Sequence, residues 1–203
     1  MRDRLDRLRC LISDLTALAN SGAGEPDVLG KAGAALQELV SADDWLPPEF
    51  AEPDPVQYRQ YLLYCDPLER FSIVSFVWGP GQRTPIHDHT VWGLIGMLRG
   101  AEISRNYAVG RAGRLEPRSD LHLVPGQVTA VSPRIGDIHQ VENALTDRPS
   151  ISIHAYGANI GAVARHVYLL EGGETRPFVS GYANRTLPNL WDRSAETRAR
   201  LGL

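Results

Sequence analysis

The sequence places two of its six histidines, His87 and His89, one residue apart in Pro85-Ile86-His87-Asp88-His89-Thr90. Side chains alternate along a strand, so both imidazoles project from one face, as two neighbouring metal ligands must. His139 is the third imidazole with a motif around it. In Ser152-Ile153-His154-Ala155-Tyr156 the same period aligns a hydroxyl, an imidazole and a phenol, which predicts a hydrogen-bond chain ending at the Tyr156 hydroxyl. A Ser–His pair also invites a hydrolase reading, but no nucleophile-elbow sequence surrounds Ser152. His122 has no partner pattern and reads as structural, and His166 reads as support for a neighbour.

The surroundings of the three histidines carry more information than the histidines themselves. Gly81, His87, His89, Gly93 and Gly100 are separated by five, one, three and six residues. This resembles the first cupin motif, in which a Glu usually stands at the position of Gly93. The segment Pro133-Arg134-Ile135-Gly136-Asp137-Ile138-His139-Gln140-Val141-Glu142-Asn143 resembles the second cupin motif, with one extra residue between Pro and Gly. Without the Glu, a divalent ion on neutral imidazoles keeps its full charge and has open positions. That is the pattern of non-haem iron oxygenases, although imidazole alone leaves zinc, nickel and copper open. An uncompensated cation also favours an anionic substrate such as a thiolate.

The elements that must hold these residues follow from periodicity. Leu5, Leu8, Ile12, Leu15 and Leu18 recur at steps of three and four, which predicts an amphipathic helix, and a second runs from about Pro26 to Val40. The Pro-rich piece from Leu46 to Pro55 closes the helical region. From Phe71 to Tyr168 short β runs alternate with Gly and Pro turns, pointing to an antiparallel barrel or jelly roll. After Arg176 come Pro177, Pro188 and Trp191, then a polar stretch from Arg193 to Arg200 that reads as a short helix or a frayed tail. The expected organisation is a single mainly β cupin domain over 1–203, with helices in 1–45, the barrel in 56–170 and a C-terminal extension in 171–203.

Composition excludes several classes of partner. The 203 residues carry 21 basic and 24 acidic side chains, a net charge of -3 with no long block of either sign, which argues against nucleic acid or an anionic membrane surface. No stretch has the roughly 20 apolar residues that span a bilayer, and charges interrupt the N-terminal apolar positions where a signal peptide needs a continuous core. A cytoplasmic location is expected. The two cysteines, Cys10 and Cys65, form neither a disulfide framework nor a zinc spacing. Nothing in the composition sets an oligomeric state.

Taken together, Thr84 to Thr90, Gly93, His139 and the Ser152-x-His154-x-Tyr156 run resemble the cysteine dioxygenase family of thiol dioxygenases, over roughly residues 56 to 170. The resemblance implies a cupin barrel with iron(II) on His87, His89 and His139, and oxidation of a small thiol to its sulfinic acid by O2. It also implies that Tyr156, oriented through His154 and Ser152, tunes the metal site. The sequence departs from the animal pattern, which has Cys at the position of Gly93, cross-linked to the Tyr matching Tyr156, and Ser-Pro after that Tyr, where this chain has Gly157-Ala158. The substrate-binding Arg of that pattern matches Gln60 in Tyr58-Arg59-Gln60-Tyr61, or Arg59 if the match slips by one. These departures resemble the bacterial Gln-type branch, similar to 3-mercaptopropionate dioxygenase, in which a later Arg is associated with the substrate carboxylate. Arg165 stands at the matching distance, and a guanidinium pairs well with a carboxylate. The alternatives are a cysteine dioxygenase, another metal-cupin oxygenase or isomerase, or a ligand-sensing cupin, though the chain has neither the room nor the basic stretch for a DNA-reading domain.

Overall fold

A computed structural model describes residues 4–170, 174–186 and 194–203. Helices α1 (Asp6–Ser21) and α2 (Glu25–Val40) form over the two segments with leucines at helical spacing. Gly22 ends α1 in the left-handed region at φ +67°, and α2 opens with Pro26 in its first turn beside Glu25 and Asp27, whose charges suit the positive end of the helix dipole.

Eleven strands follow among the described residues: β1 (Arg59–Cys65), β2 (Ser72–Trp78), β3 (Ile86–His87), β4 (Gly93–Arg99), β5 (Glu102–Val109), β6 (Leu115–Leu123), β7 (Val128–Val131), β8 (Ile138–Asn143), β9 (Ser150–Tyr156), β10 (Arg165–Tyr168) and β11 (Thr175–Phe178). They make two antiparallel sheets, of order β1-β2-β9-β4-β7 and β11-β10-β3-β8-β5-β6. This is the mainly β cupin architecture with N-terminal helices that the strand spacing predicts. Helix α2 buries Val28, Ala32, Leu36, Leu39 and Val40 against β4, β7 and β9. Gly96 of β4 allows this close approach, since a Cβ there would lie 3.0 Å from Leu36 Cγ and from Val40 Cγ1.

Three details differ from the expectation. Strand β1 lies inside the expected barrel but ahead of the β runs read from Phe71, β11 lies beyond residue 170 as an edge strand of the larger sheet, and β3 is only two residues long. His87 is therefore in a strand, and His89 is in the loop that follows it. The polar C-terminal stretch forms α3 (Ser194–Leu201), while Pro188, Trp191 and Arg193 lie outside the described residues. Among the described residues no helix is long and apolar enough to cross a membrane.

Candidate metal centre

His87 and His139 sit opposite each other on paired strands β3 and β8. His89 reaches the same point by a different route. Asp137, two residues before His139, accepts the backbone N–H groups of His89 at 3.1 Å and Thr90 at 2.9 Å, and fixes the loop in which Thr90 adopts φ +60°. A non-glycine residue in that region is strained, and the carboxylate on these two amides holds it there. The three imidazoles are buried, each pair of ring centroids is 4.9 Å apart, and their potential ligand atoms all lie within 4.8 Å of one another.

The outer nitrogen of each ring is already occupied. Nδ1 of His87 meets the Pro85 carbonyl at 3.1 Å, that of His89 meets Asp137 Oδ1 at 3.0 Å, and that of His139 meets Ser104 Oγ at 3.0 Å. Each partner can accept a proton-bearing Nδ1, so the lone pair of each Nε2 is left for the shared centre, the arrangement that orients metal-binding imidazoles. Burial holds His87 and His89 well below the ordinary histidine range and His139 down to about 4, so the rings stay neutral and free to ligate at neutral pH. Donor set, neutrality and outer hydrogen bonds all fit a divalent transition metal.

Gly93 of β4 leaves the space where a carboxylate ligand would otherwise start. A Cβ there would sit 2.8 Å from Tyr156 Cε1, so Tyr156 fills the volume instead, its ring stacked on His89 at 5.4 Å. On β9, Ser152 Oγ lies 2.8 Å from His154 Nε2, and His154 Nδ1 lies 2.8 Å from the Tyr156 hydroxyl, so the predicted side-chain chain is continuous. Burial pushes the Tyr156 phenol well above its ordinary value and keeps His154 neutral.

Arg165 opens β10 and is 97% buried, its guanidinium 4.5 Å above the Phe178 ring, which in turn lies edge-on to His87 at 6.3 Å. Its Nη2 donates to Ser180 Oγ at 2.7 Å, its buried Nε has no partner, and among the described residues no carboxylate pairs with it. Gln60 donates to the Gly181 carbonyl at 3.0 Å and to the same Ser180 hydroxyl at 3.4 Å. Ser180 thus joins Gln60 to Arg165. Arg59 is elsewhere, paired with Asp54. A cleft of about 240 Å³ opens beside Tyr58, Gln60, Phe178, Ser180 and Tyr182.

Asp137, Ser104 and Ser180 were not singled out by sequence reasoning. Asp137 lies inside the second motif and Ser104 on the inward alternation of β5, which are usable signals; Ser180 follows a short edge strand and has none. His122 is exposed on β6, and His166 holds Asp88 Oδ2 at 2.9 Å through Nδ1.

Residues 34–167 match the family model described as cysteine dioxygenase type I. The chain belongs to the cysteine dioxygenase type I family. Cysteine dioxygenase type 1 of Danio rerio is 28% identical over 118 residues, covering 56% of this chain and 56% of that protein. The Homo sapiens protein is 26% identical over 125 residues, covering 60% and 62%. The match thus spans about three fifths of the length of these cysteine dioxygenase relatives. Among solved structures, a Klebsiella pneumoniae protein with a double-stranded β-helix domain aligns at TM-score 0.42 and 19% identity, over 56% of this chain and 89% of that one. A cupin superfamily protein from Desulfitobacterium hafniense aligns at TM-score 0.42 and 16% identity, over 56% and 90%.

Proposed function

We propose that this chain is a thiol dioxygenase that converts a small mercaptocarboxylate, 3-mercaptopropionate, to its sulfinic acid. Both atoms of O2 end on the sulfur, so thiol plus dioxygen balances the product. His87, His89 and His139 would hold iron(II) through Nε2, and iron(II) supplies open positions and redox chemistry at which a thiolate and dioxygen can meet. The protein's own groups do the rest. Arg165 and Gln60 hold the substrate's far end, Phe178 and Tyr58 wall it from water, and the Tyr156 hydroxyl, oriented by His154, donates a hydrogen bond toward the reacting end.

The observation that carries this reading is Arg165, a buried cation beside three neutral imidazoles with one donor unpartnered and, among the described residues, no carboxylate paired with it. Burying a charge unpaired is costly, and an incoming carboxylate removes that cost. A second observation supports a mercaptocarboxylate over cysteine and cysteamine, whose ammonium groups need an acceptor. Asp88 is already engaged by the His166 amide, the His166 ring and the Tyr168 hydroxyl, and Asp137 by His89 and Thr90. Asp88 and Asp137 are thus already committed to groups of the protein itself.

In iron-loaded protein, Arg165→Ala is expected to raise KM for 3-mercaptopropionate by roughly 30-fold or more, matching the ~2 kcal/mol lower end for truncating one partner of a buried charge pair. Iron content should be unchanged. An unaltered KM contradicts the reading.

A further inference from the structure

Strand β3 pairs with β10 over two residues only, Ile86 with Tyr168 and His87 with Val167, yet both halves of the site meet across this seam. His87 and His89 lie on one side of it and Arg165 on the other. Continued by one and two residues, the same register sets Asp88 opposite His166 and His89 opposite Arg165. Asp88 donates its backbone N–H to the His166 carbonyl at 3.2 Å, one of the two bonds that an antiparallel hydrogen-bonded pair exchanges. The return bond is different. The His166 N–H goes to Asp88 Oδ1 at 2.8 Å, so a side chain closes the pair while the main chain turns away into the loop of His89 and Thr90. On the other carboxylate oxygen, Oδ2, the His166 ring donates through Nδ1 at 2.9 Å and the Tyr168 hydroxyl donates at 2.9 Å. Four hydrogen bonds to β10 thus converge on one buried residue between two of the imidazoles.

We infer that Asp88 is the positioning residue that fixes the gap between the imidazole centre and Arg165, and with it the chain length of the mercaptocarboxylate that the site takes. The choice of substrate rests on the thiol dioxygenase reading, in which the sulfur goes to the ion on the three imidazoles and the carboxylate to Arg165. The gap itself does not. Side chains alternate, so with His87 facing inward Asp88 faces the outer side of the sheet, beside His166 and Tyr168, and acts through the backbone. The amide it holds is the one that joins Arg165 to His166. A thiol one methylene too short cannot reach both anchors of a fixed gap, and one methylene too long must buckle, whereas a loose gap accepts either. A hydrogen bond to a charged group contributes about tenfold or more in affinity, which is the discrimination expected of a held gap.

The tie is tested in cobalt(II)-loaded protein without oxygen, where thiols bind and do not react. Paramagnetic relaxation of the Arg165 side-chain N–H, which needs no thiol, should be strong in the parent and weaker in Asp88→Ala. Asp88→Asn keeps an acceptor for the His166 amide and a polar group for the ring and the hydroxyl, and should restore it. Thiol binding, followed by the thiolate-to-cobalt band, should favour 3-mercaptopropionate over mercaptoacetate and 4-mercaptobutyrate by about tenfold in the parent and in Asp88→Asn, and by less than about threefold in Asp88→Ala. Ethanethiol, which has no carboxylate, should bind all three proteins alike. His166→Ala combined with Tyr168→Phe removes the two side-chain donors and leaves the amide bond; it should fall between parent and Asp88→Ala, and it decides the matter if Asp88→Ala does not fold. An Arg165 relaxation or a length preference that these variants leave unchanged overturns the inference. So does a parent that binds the three mercaptocarboxylates alike, or an equal loss of ethanethiol binding in Asp88→Ala, which would make Asp88 a support of the imidazoles alone. If the relaxation results hold and the parent binds no thiol, Asp88 stands as the tie between the two anchors and the thiol reading falls.

Discussion

His139 and Tyr156 face the same centre and carry different burdens. His139 offers a lone pair fixed by Ser104, whereas Tyr156 offers a hydroxyl fixed by His154. Ser104→Ala should therefore weaken metal binding by about 10- to 100-fold, the usual effect of losing an outer partner of a ligating imidazole, measured by competition with a chelator. Tyr156→Phe should leave the metal affinity within a few-fold and reduce turnover by about 10- to 100-fold. Equal metal affinity in Ser104→Ala and the parent contradicts the role given to the His139 ring. The three imidazoles and the β9 polar face were legible in the sequence because each lies in a motif of fixed spacing. Ser104 and Glu102 were not singled out, because a polar residue in a β run is ordinarily half-exposed and the packing of the two sheets is what buries these two, while Asp137 lay inside the second motif but its hold on the His89 loop depends on the fold.

Among the elements, the least legible are those that shape the mouth of the site. Strand β1 breaks its alternation at a register shift between Leu62 and Tyr64 and is buried on both faces in part, so period-two reading passes over it. Strand β11 contains Pro177, which a sheet tolerates at an edge, and it is one. The strand β3 geometry was legible only to His87, since the position of His89 depends on Asp137 and on the strained Thr90 loop. At this scale Ser180, just after β11, ties β1 to β10 by accepting from both Gln60 and Arg165. Ser180→Ala should free both side chains and raise KM for 3-mercaptopropionate several-fold with kcat little changed, measured by steady-state oxygen uptake. A fall in kcat at unchanged KM would show that the loop serves the chemistry and not substrate holding.

For the molecule as a whole, the buried histidines set the pH response of folding. His87, His89 and His154 titrate well below 6.5 in the folded chain and His139 at about 4, because burial disfavours their charged forms. The unfolded chain takes up these protons near 6.5, so their contribution is complete above that pH and is lost as pH falls toward 4 and below. Glu102 acts in the opposite sense: raised from 4.5 to about 8, it stabilises at low pH and loses that contribution as pH rises through about 8. Metal-free protein should thus be most stable near pH 6.5 to 7, by thermal melts across pH, with a steep acid side and a shallow alkaline side that Glu102→Gln flattens. A melting temperature independent of pH between 4 and 6.5 contradicts this assignment. The cysteine dioxygenase family membership, the three-histidine centre and the buried Arg165, with no carboxylate partner among the described residues, converge on one measurement. Oxygen uptake by the iron-loaded protein should be fastest, at low substrate concentration, with 3-mercaptopropionate, and slower with cysteine and cysteamine. No thiol-dependent uptake with any of the three contradicts the dioxygenase account, and a preference for cysteine contradicts the roles given to Arg165 and Gln60.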